Sequence, residues 1–147
     1  MKINLGCGNL PLEGFKNIDR SETAQADEFY DFSLDGIKEG DETCDEVHAG
    51  CSLEQIEKNA DFVFVLNECW RVLKPGGMLT GYVPTTDPRV MFLDPMDRRF
   101  FLADSFKYLV SRENSYKQFG KNYGFKGWSE AETTINEHGI LFFKLKK

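Results

Sequence analysis

The residues best suited to chemistry lie at the amino terminus, where Lys2-Ile3-Asn4-Leu5-Gly6-Cys7-Gly8-Asn9 is soon followed by Ile18-Asp19. A short apolar run enters a glycine turn, and a second short run ends on a carboxylate. Gly6 and Gly8 have no Cβ, so the backbone there can take positive φ and approach a ligand closely. Asp19 can accept two hydrogen bonds from a ribose diol. Together they point to an adenosine-containing ligand. The spacing is not that of a dinucleotide fingerprint: no third glycine follows, and Asp19 arrives after about half of the roughly 20-residue interval of that motif. No Gly-Lys-Ser or Gly-Lys-Thr closes a triphosphate loop.

Three further side chains could act as general bases: Asp94, Asp97 and His48. Each has a plainer role open to it. The two acids can pair with Arg98 or Arg99, and His48 can be a strand residue facing a helix. The four cysteines, Cys7, Cys44, Cys51 and Cys69, form no CxxC pair and have no histidine cluster nearby, so neither a zinc site nor a disulfide framework is signalled. They read as free thiols, with Cys7 and Cys51 packing at strand-to-loop junctions.

These groups must be positioned by a chain of 147 residues, which suits one domain over 1-147. A hydrophobic content of 41% with 14% aromatics argues against disorder. The net charge of -6 leaves no global basic footprint, so nucleic acid is not an expected partner. No run approaches the roughly 18 apolar residues of a membrane span, and Met1 leads straight into a strand, so a cytoplasmic setting is expected.

Short apolar runs bounded by turn residues predict strands at 2-5, 15-19, 28-32 and 45-49. Residues 52-73 predict a helix with Ser52 as N-cap and Gln55 at the capping-box position, stopped by Pro75-Gly76-Gly77. Met78 to Val83 reads as a buried strand closed by Pro84. A second helix is predicted from about 103 to 112. Trp128 to Ile135 and Ile140 to Lys146 form a hairpin around Asn136-Glu137-His138-Gly139. The result is an α/β fold: a Rossmann-like open, mainly parallel sheet with helices on both faces and a C-terminal antiparallel hairpin. The interval from Asn9 to Phe15 is too short for a crossover helix, so the first crossover is abbreviated. The aromatics between 90 and 125 read as cover for the sheet, and Asn114 to Gly127 could form a mobile lid.

Several segments resemble the class I S-adenosylmethionine-dependent methyltransferase family in its compact, methyltransferase type 11-like form. Leu5-Gly6-Cys7-Gly8-Asn9 with Gly14-Phe15-Lys16-Asn17-Ile18-Asp19 resembles its first motif. Cys51-Ser52-Leu53-Glu54-Gln55-Ile56 is similar to its "hxLEHI" helix start, with Gln55 in place of histidine. Glu68-Cys69-Trp70-Arg71-Val72-Leu73-Lys74-Pro75-Gly76-Gly77 follows its "E-x-x-R-V-L-K-P-G-G" string. Asp94-Pro95-Met96-Asp97-Arg98-Arg99-Phe100-Phe101 resembles its "D-P-x-H-x-R-x-F" segment, with Asp97 where histidine is usual.

The resemblance implies S-adenosyl-L-methionine as cofactor. It also implies contacts from Leu5, Gly6, Cys7, Gly8 and Asn9 to the methionine part and from Asp19 to the ribose. Asp31 and Phe32 would meet the adenine, with Ala49, Gly50 and Cys51 at the end of the fourth strand. The implied reaction is methyl transfer to a small-molecule acceptor. Three features motivate a rival reading, a catalytically inactive cofactor-binding or assembly module on the same fold: the missing amino-terminal cap, the short first crossover, and the departures at Gln55 and Asp97. A nucleotide-sugar or nicotinamide enzyme is a third reading. The minimal size leaves pairing into a homodimer open.

Overall fold

The computed structural model describes residues 1–147. Its strands are β1 (Lys2–Leu5), β2 (Lys16–Asp19), β3 (Glu28–Phe29), β4 (Cys44–Gly50), β5 (Leu73–Pro84), β6 (Glu130–Ile135) and β7 (Ile140–Lys146). The α-helices are α1 (Phe32–Asp35) and α2 (Asn59–Val72). Short 3-10 turns occupy Leu53–Gln55 and Ala103–Tyr108, and one π-helical turn spans Tyr116–Gly120. No helix is long and apolar enough to cross a membrane.

The seven strands form one sheet in the order β3-β2-β1-β4-β5-β7-β6. The first five run parallel, and β7 is antiparallel to both β5 and β6. The chain starts at the centre, moves out to β3, then returns to β4 on the other side of β1. Connections therefore diverge at the carboxyl ends of β1 and β4, where open α/β sheets leave a crevice.

Strand register separates two unlike faces. Ile3 lies beside Val47, Val47 beside Leu79 and Leu79 beside Leu145. These residues share one face and are fully buried with Val65, Leu66, Cys69 and Val72 of α2. Each large apolar side chain so buried contributes about 1.5–3 kcal/mol. Phe106 of the second 3-10 turn extends this core by stacking on Phe143 with ring centroids 4.9 Å apart. Every helical element lies on this side or packs against one that does, so the helical layer is one-sided, where helices on both faces are expected from the sequence.

The opposite face carries Lys2, Asn4, Asn17, Glu46, His48, Thr80, Tyr82, Phe142 and Lys144. It has no helix because residues 6-15 and 20-27 are too short to supply a crossover. Two buried asparagines organise a loop in its place. Asn4 Nδ2 donates to Asn17 Oδ1 at 3.0 Å, and the same oxygen accepts from Leu12 N at 2.8 Å. Asn17 Nδ2 donates to the carbonyls of Phe15 and Leu12 and to Asp27.

Several expected boundaries differ. β3 stops at Phe29 because the Asp31 carboxylate accepts from Ser33 N at 3.0 Å and caps α1 instead. The helix expected over 52-73 is divided. Leu53–Gln55 is a separate 3-10 turn, α2 begins after Lys58, and Ser52 makes no capping bond. Nor does Pro75-Gly76-Gly77 stop α2. The helix ends at Val72 because Leu73 already pairs with Cys44 of β4, and Gly76 takes up an irregularity inside β5 with φ of 79°. The helix expected at 103-112 is the shorter 3-10 turn. Asn114 to Gly127 is docked on the body rather than a free lid: Asn67 Nδ2 donates to Gly124 O and its Oδ1 accepts from Lys126 N, both at 2.9 Å.

The Glu68-to-Gly77 string shows its physical content here. Glu68 and Arg71 lie one turn apart on α2 and pair at 2.7 Å. Glu68 Oε2 also accepts from Ile37 N, and Arg71 donates to the carbonyls of Ile37 and Glu39. The pair thus ties the loop between α1 and β4 to α2.

Candidate functional site

Four segments meet at the carboxyl ends of the parallel strands around a cleft of about 250 Å³. The turn after β1 contributes Gly6 and Gly8, and the end of β2 contributes Asp19 and Arg20. The start of α1 supplies Asp31, Phe32 and Ser33, while Cys51, Ser52, Gln55 and Ile56 follow β4. Residues far apart in sequence come together because β1 lies between β2 and β4.

The glycine turn is held by β2. Gly6 N and Cys7 N both donate to Ile18 O, at 2.8 and 3.2 Å. Gly6 and Gly8 have φ of 68° and 51°. They differ in what a side chain would meet. A Cβ at Gly6 would lie 2.7 Å from Ser52 Cβ, whereas one at Gly8 would find no atom within 4 Å. The backbone at Gly8 therefore borders open space.

Asp19 closes this loop as well as facing the cleft. Its Oδ2 accepts from Gly8 N and its Oδ1 from Ser21 N, each at 2.8 Å. Each carboxylate oxygen has a second acceptor site left over. Asp31 Oδ1 is taken by Ser33, and its Oδ2 lies 3.7 Å from Arg20 across the cleft. Ser52 Oγ is buried without a hydrogen-bond partner.

Of the residues named from sequence, Gly6, Gly8, Asp19, Asp31, Phe32 and Cys51 line the cleft, while Leu5, Cys7, Asn9, Ala49 and Gly50 do not. Leu5 and Ala49 point into the core. Cys7 Sγ is buried against the carbonyls of Gly8 and Gln25. Gly50 lies under the Tyr82 ring, 2.7 Å from where its Cβ would be. Cys51 is exposed and not a packing residue, with a left-handed φ of 49°. Arg20 and Ser33 have no role in the sequence reading, which takes Ser52, Gln55 and Ile56 only as a helix start. The Asp-x-Ser spacing at 31-33 was the available signal for a capped turn there.

His48 is removed from the site. It lies on the helix-free face, with Nδ1 3.0 Å from Thr80 Oγ1 and its ring between Phe15 and Tyr82. Asp94 and Asp97 do not make the expected pairs with Arg98 or Arg99. Asp94 bonds Gln55 Nε2 at 3.1 Å and Met96 N at 2.9 Å. Arg99 instead donates to Ile56 O and lies over the Phe62 ring at 4.3 Å. Asp97 is buried beside Glu54, in a recess that shares Cys51 with the cleft.

The sequence matches no protein-family model, and no curated protein matches it. Solved structures do. A methyltransferase dependent on S-adenosylmethionine from Archaeoglobus fulgidus superposes with a TM-score of 0.70 at 13% identity, over 99% of this chain and 85% of that one. The chain has the class I S-adenosylmethionine-dependent methyltransferase fold. A second such enzyme, from Methanosarcina mazei, gives a TM-score of 0.63 at 14% identity, covering 99% and 91% of the two chains. A methyltransferase of Haloferax volcanii in complex with the Trm112 methyltransferase activator gives 0.64 at 15% identity, covering 99% and 81%. In this methyltransferase fold the cleft lies at the point where strand order reverses.

Proposed function

We propose that the chain binds S-adenosyl-L-methionine in this cleft and transfers its methyl group to a small-molecule acceptor in the cytoplasm. One observation carries the reading: Gly8 borders open space while donating its N–H to the carboxylate of Asp19, so a glycine backbone and a carboxylate with acceptor sites left over lie side by side in one cleft. The residues suit the cofactor. Asp19 has lone pairs for the ribose hydroxyls, Phe32 and Ile56 offer apolar surface to adenine, and Asp31 lies beside them to accept from its amino group. Gly6, Gly8 and the unpartnered Ser52 Oγ border the remaining length of the cleft.

The cofactor supplies an electrophilic methyl group on a sulfonium centre. The chain's contribution is alignment and exclusion of water. For a displacement of this kind these can supply much of the rate, without a unique catalytic side chain.

Calorimetry with S-adenosylhomocysteine, NAD⁺ and a uridine-diphosphate sugar tests the reading. S-adenosylhomocysteine is expected to bind more tightly than the other two. Gly8→Ala is expected to keep the fold and weaken that binding at least tenfold, because its methyl group would project into the cleft. Equal affinity for all three ligands overturns the assignment.

A further inference from the structure

Beyond the cleft, on the other side of Cys51, lies a second recess of about 360 Å³. Its walls are largely apolar: Pro84, Val90, Leu93, Pro95 and Ile140. Its acids are Glu54, Asp94 and Asp97. Glu54 is 1% exposed and Asp97 is 4% exposed. Glu54 Oε2 and Asp97 Oδ1 are both buried without any hydrogen-bond partner. Burying a carboxylate oxygen unpaired costs several kcal/mol, so a pair of them inside one recess needs a reason.

The chain does not supply a counter-charge. No arginine or lysine lines the recess: Arg98 and Arg99 give their backbone N–H groups to Glu54 O at 2.8 and 3.2 Å, and the Arg99 guanidinium is spent on Ile56 O and the Phe62 ring. Those same backbone bonds fix Asp97 against the 3-10 turn that carries Glu54. The ionisable groups facing Glu54 are Cys51, Tyr82, Asp94 and Asp97, and none is a cation. Burial and the neighbouring acids raise both Glu54 and Asp97, Glu54 to about 7. Burial of Glu54 thus opens to the pair a form with one proton and one negative charge.

We infer that this recess is the acceptor subsite and takes a small amine with an apolar body, its nitrogen held between Glu54 and Asp97. The inference rests on the methyltransferase reading for the word acceptor, but not for the binding of the amine. A singly charged acid pair binds an alkylammonium ion as a neutral complex. Moving one proton from nitrogen to the carboxylate leaves a neutral carboxylic acid pair and an amine with its lone pair free, and the number of protons is unchanged. The apolar walls account for selection of an alkyl or aryl body. Leu93 is 76% exposed at the rim, so the recess opens to solvent.

The test uses n-butylammonium chloride as probe and n-butanol as its neutral counterpart, followed by amide and ¹³C-carboxyl NMR on the intact chain. The ammonium ion is expected to shift Cys51, Glu54, Leu93 and Asp97 saturably and to move the carboxyl titration of Glu54 to lower pH. Butanol is expected to do neither. Glu54→Gln and Asp97→Asn should each weaken ammonium binding at least tenfold, with the amide spectrum confirming the fold and S-adenosylhomocysteine affinity unchanged. Equal response to butanol, or unaltered ammonium binding in both variants, overturns the inference. If wild type binds the ammonium ion there but not S-adenosylhomocysteine, the amine site stands and the methyltransferase reading falls.

Discussion

Replacing Asp19 with asparagine keeps the size of the side chain and removes half of its acceptor capacity. In the native chain one carboxylate oxygen holds Gly8 N and the other holds Ser21 N, both at 2.8 Å. Asparagine has one oxygen and one NH₂ group, so one of these backbone donors must face another donor. A hydrogen bond to a charged group is worth about 1.5–3 kcal/mol, and the variant should lose about that much stability. The proposed ribose contact draws on the same two oxygens. Losing one charged acceptor there should weaken S-adenosylhomocysteine binding by a similar amount, roughly 10- to 100-fold at about 1.4 kcal/mol per decade. Thermal unfolding of the free protein measures the first effect and calorimetry the second. A fall in stability with unchanged affinity would show that Asp19 only ties the loop, and the cofactor assignment of this acid would be wrong. No change in either would refute the hydrogen-bond accounting itself.

Gly6→Ala should cost more stability than Gly8→Ala, which carries only the left-handed backbone penalty of about 1–2 kcal/mol, because the Gly6 methyl would also collide with Ser52; a smaller shift in unfolding midpoint for Gly6→Ala would contradict the geometry. Gly81→Ala should not give a folded protein, since its Cβ would lie 2.0 Å from Ala49 O across the β4–β5 pair; a native far-ultraviolet spectrum with normal stability is the adverse result. Glu54 titrates near 7 when folded against an ordinary 4.5, so the folded chain holds an extra proton between those values. Stability should therefore fall as pH rises from about 4.5 to about 7 and level off above, by on the order of 3 kcal/mol from this group. Asp97 acts in the same direction. Glu54→Gln should flatten that slope in denaturant titrations, and a slope that persists unchanged would count against the burial of this acid. Glu68→Gln should loosen the loop between α1 and β4, seen as faster amide exchange at Ile37, whose N–H it accepts at 3.0 Å.

The meeting of Gly6, Gly8 and Asp19 in one candidate cleft was legible because it depends on backbone geometry and strand-end placement, which spacing alone reveals. Gly6, Gly8 and Asp19 needed only to be placed at the ends of adjacent strands to meet. The sheet was legible for a related reason: the apolar runs at β1, β4, β5 and β7 bury one face only, and the residues between them are polar or small. The division of 52-73 was hidden, since Leu53 and Ile56 fit a continuous helical stripe as well as they fit a turn followed by a break. Glu54 was hidden for the opposite reason. A glutamate beside a helix start normally caps or faces water, and nothing in its neighbours announces that Arg98 and Arg99 will seal it by donating backbone N–H groups to its carbonyl. His48 suits proton transfer by type, but strand alternation carries it to the face away from the cleft.

That face shows what the short connections bring with them. A doubly wound sheet is ordinarily dry on both sides, and its strands are apolar throughout. Here the central strands alternate: Asn4 and His48 are flanked by Ile3, Leu5, Val47 and Ala49. Two asparagine side chains, by bonding to each other and to a ten-residue loop, do the covering that a helix and its apolar stripe would otherwise perform. Grafting a greasy amphipathic segment into that loop would therefore meet a hydrophilic floor, and the layer could be restored only by rewriting the strands beneath it.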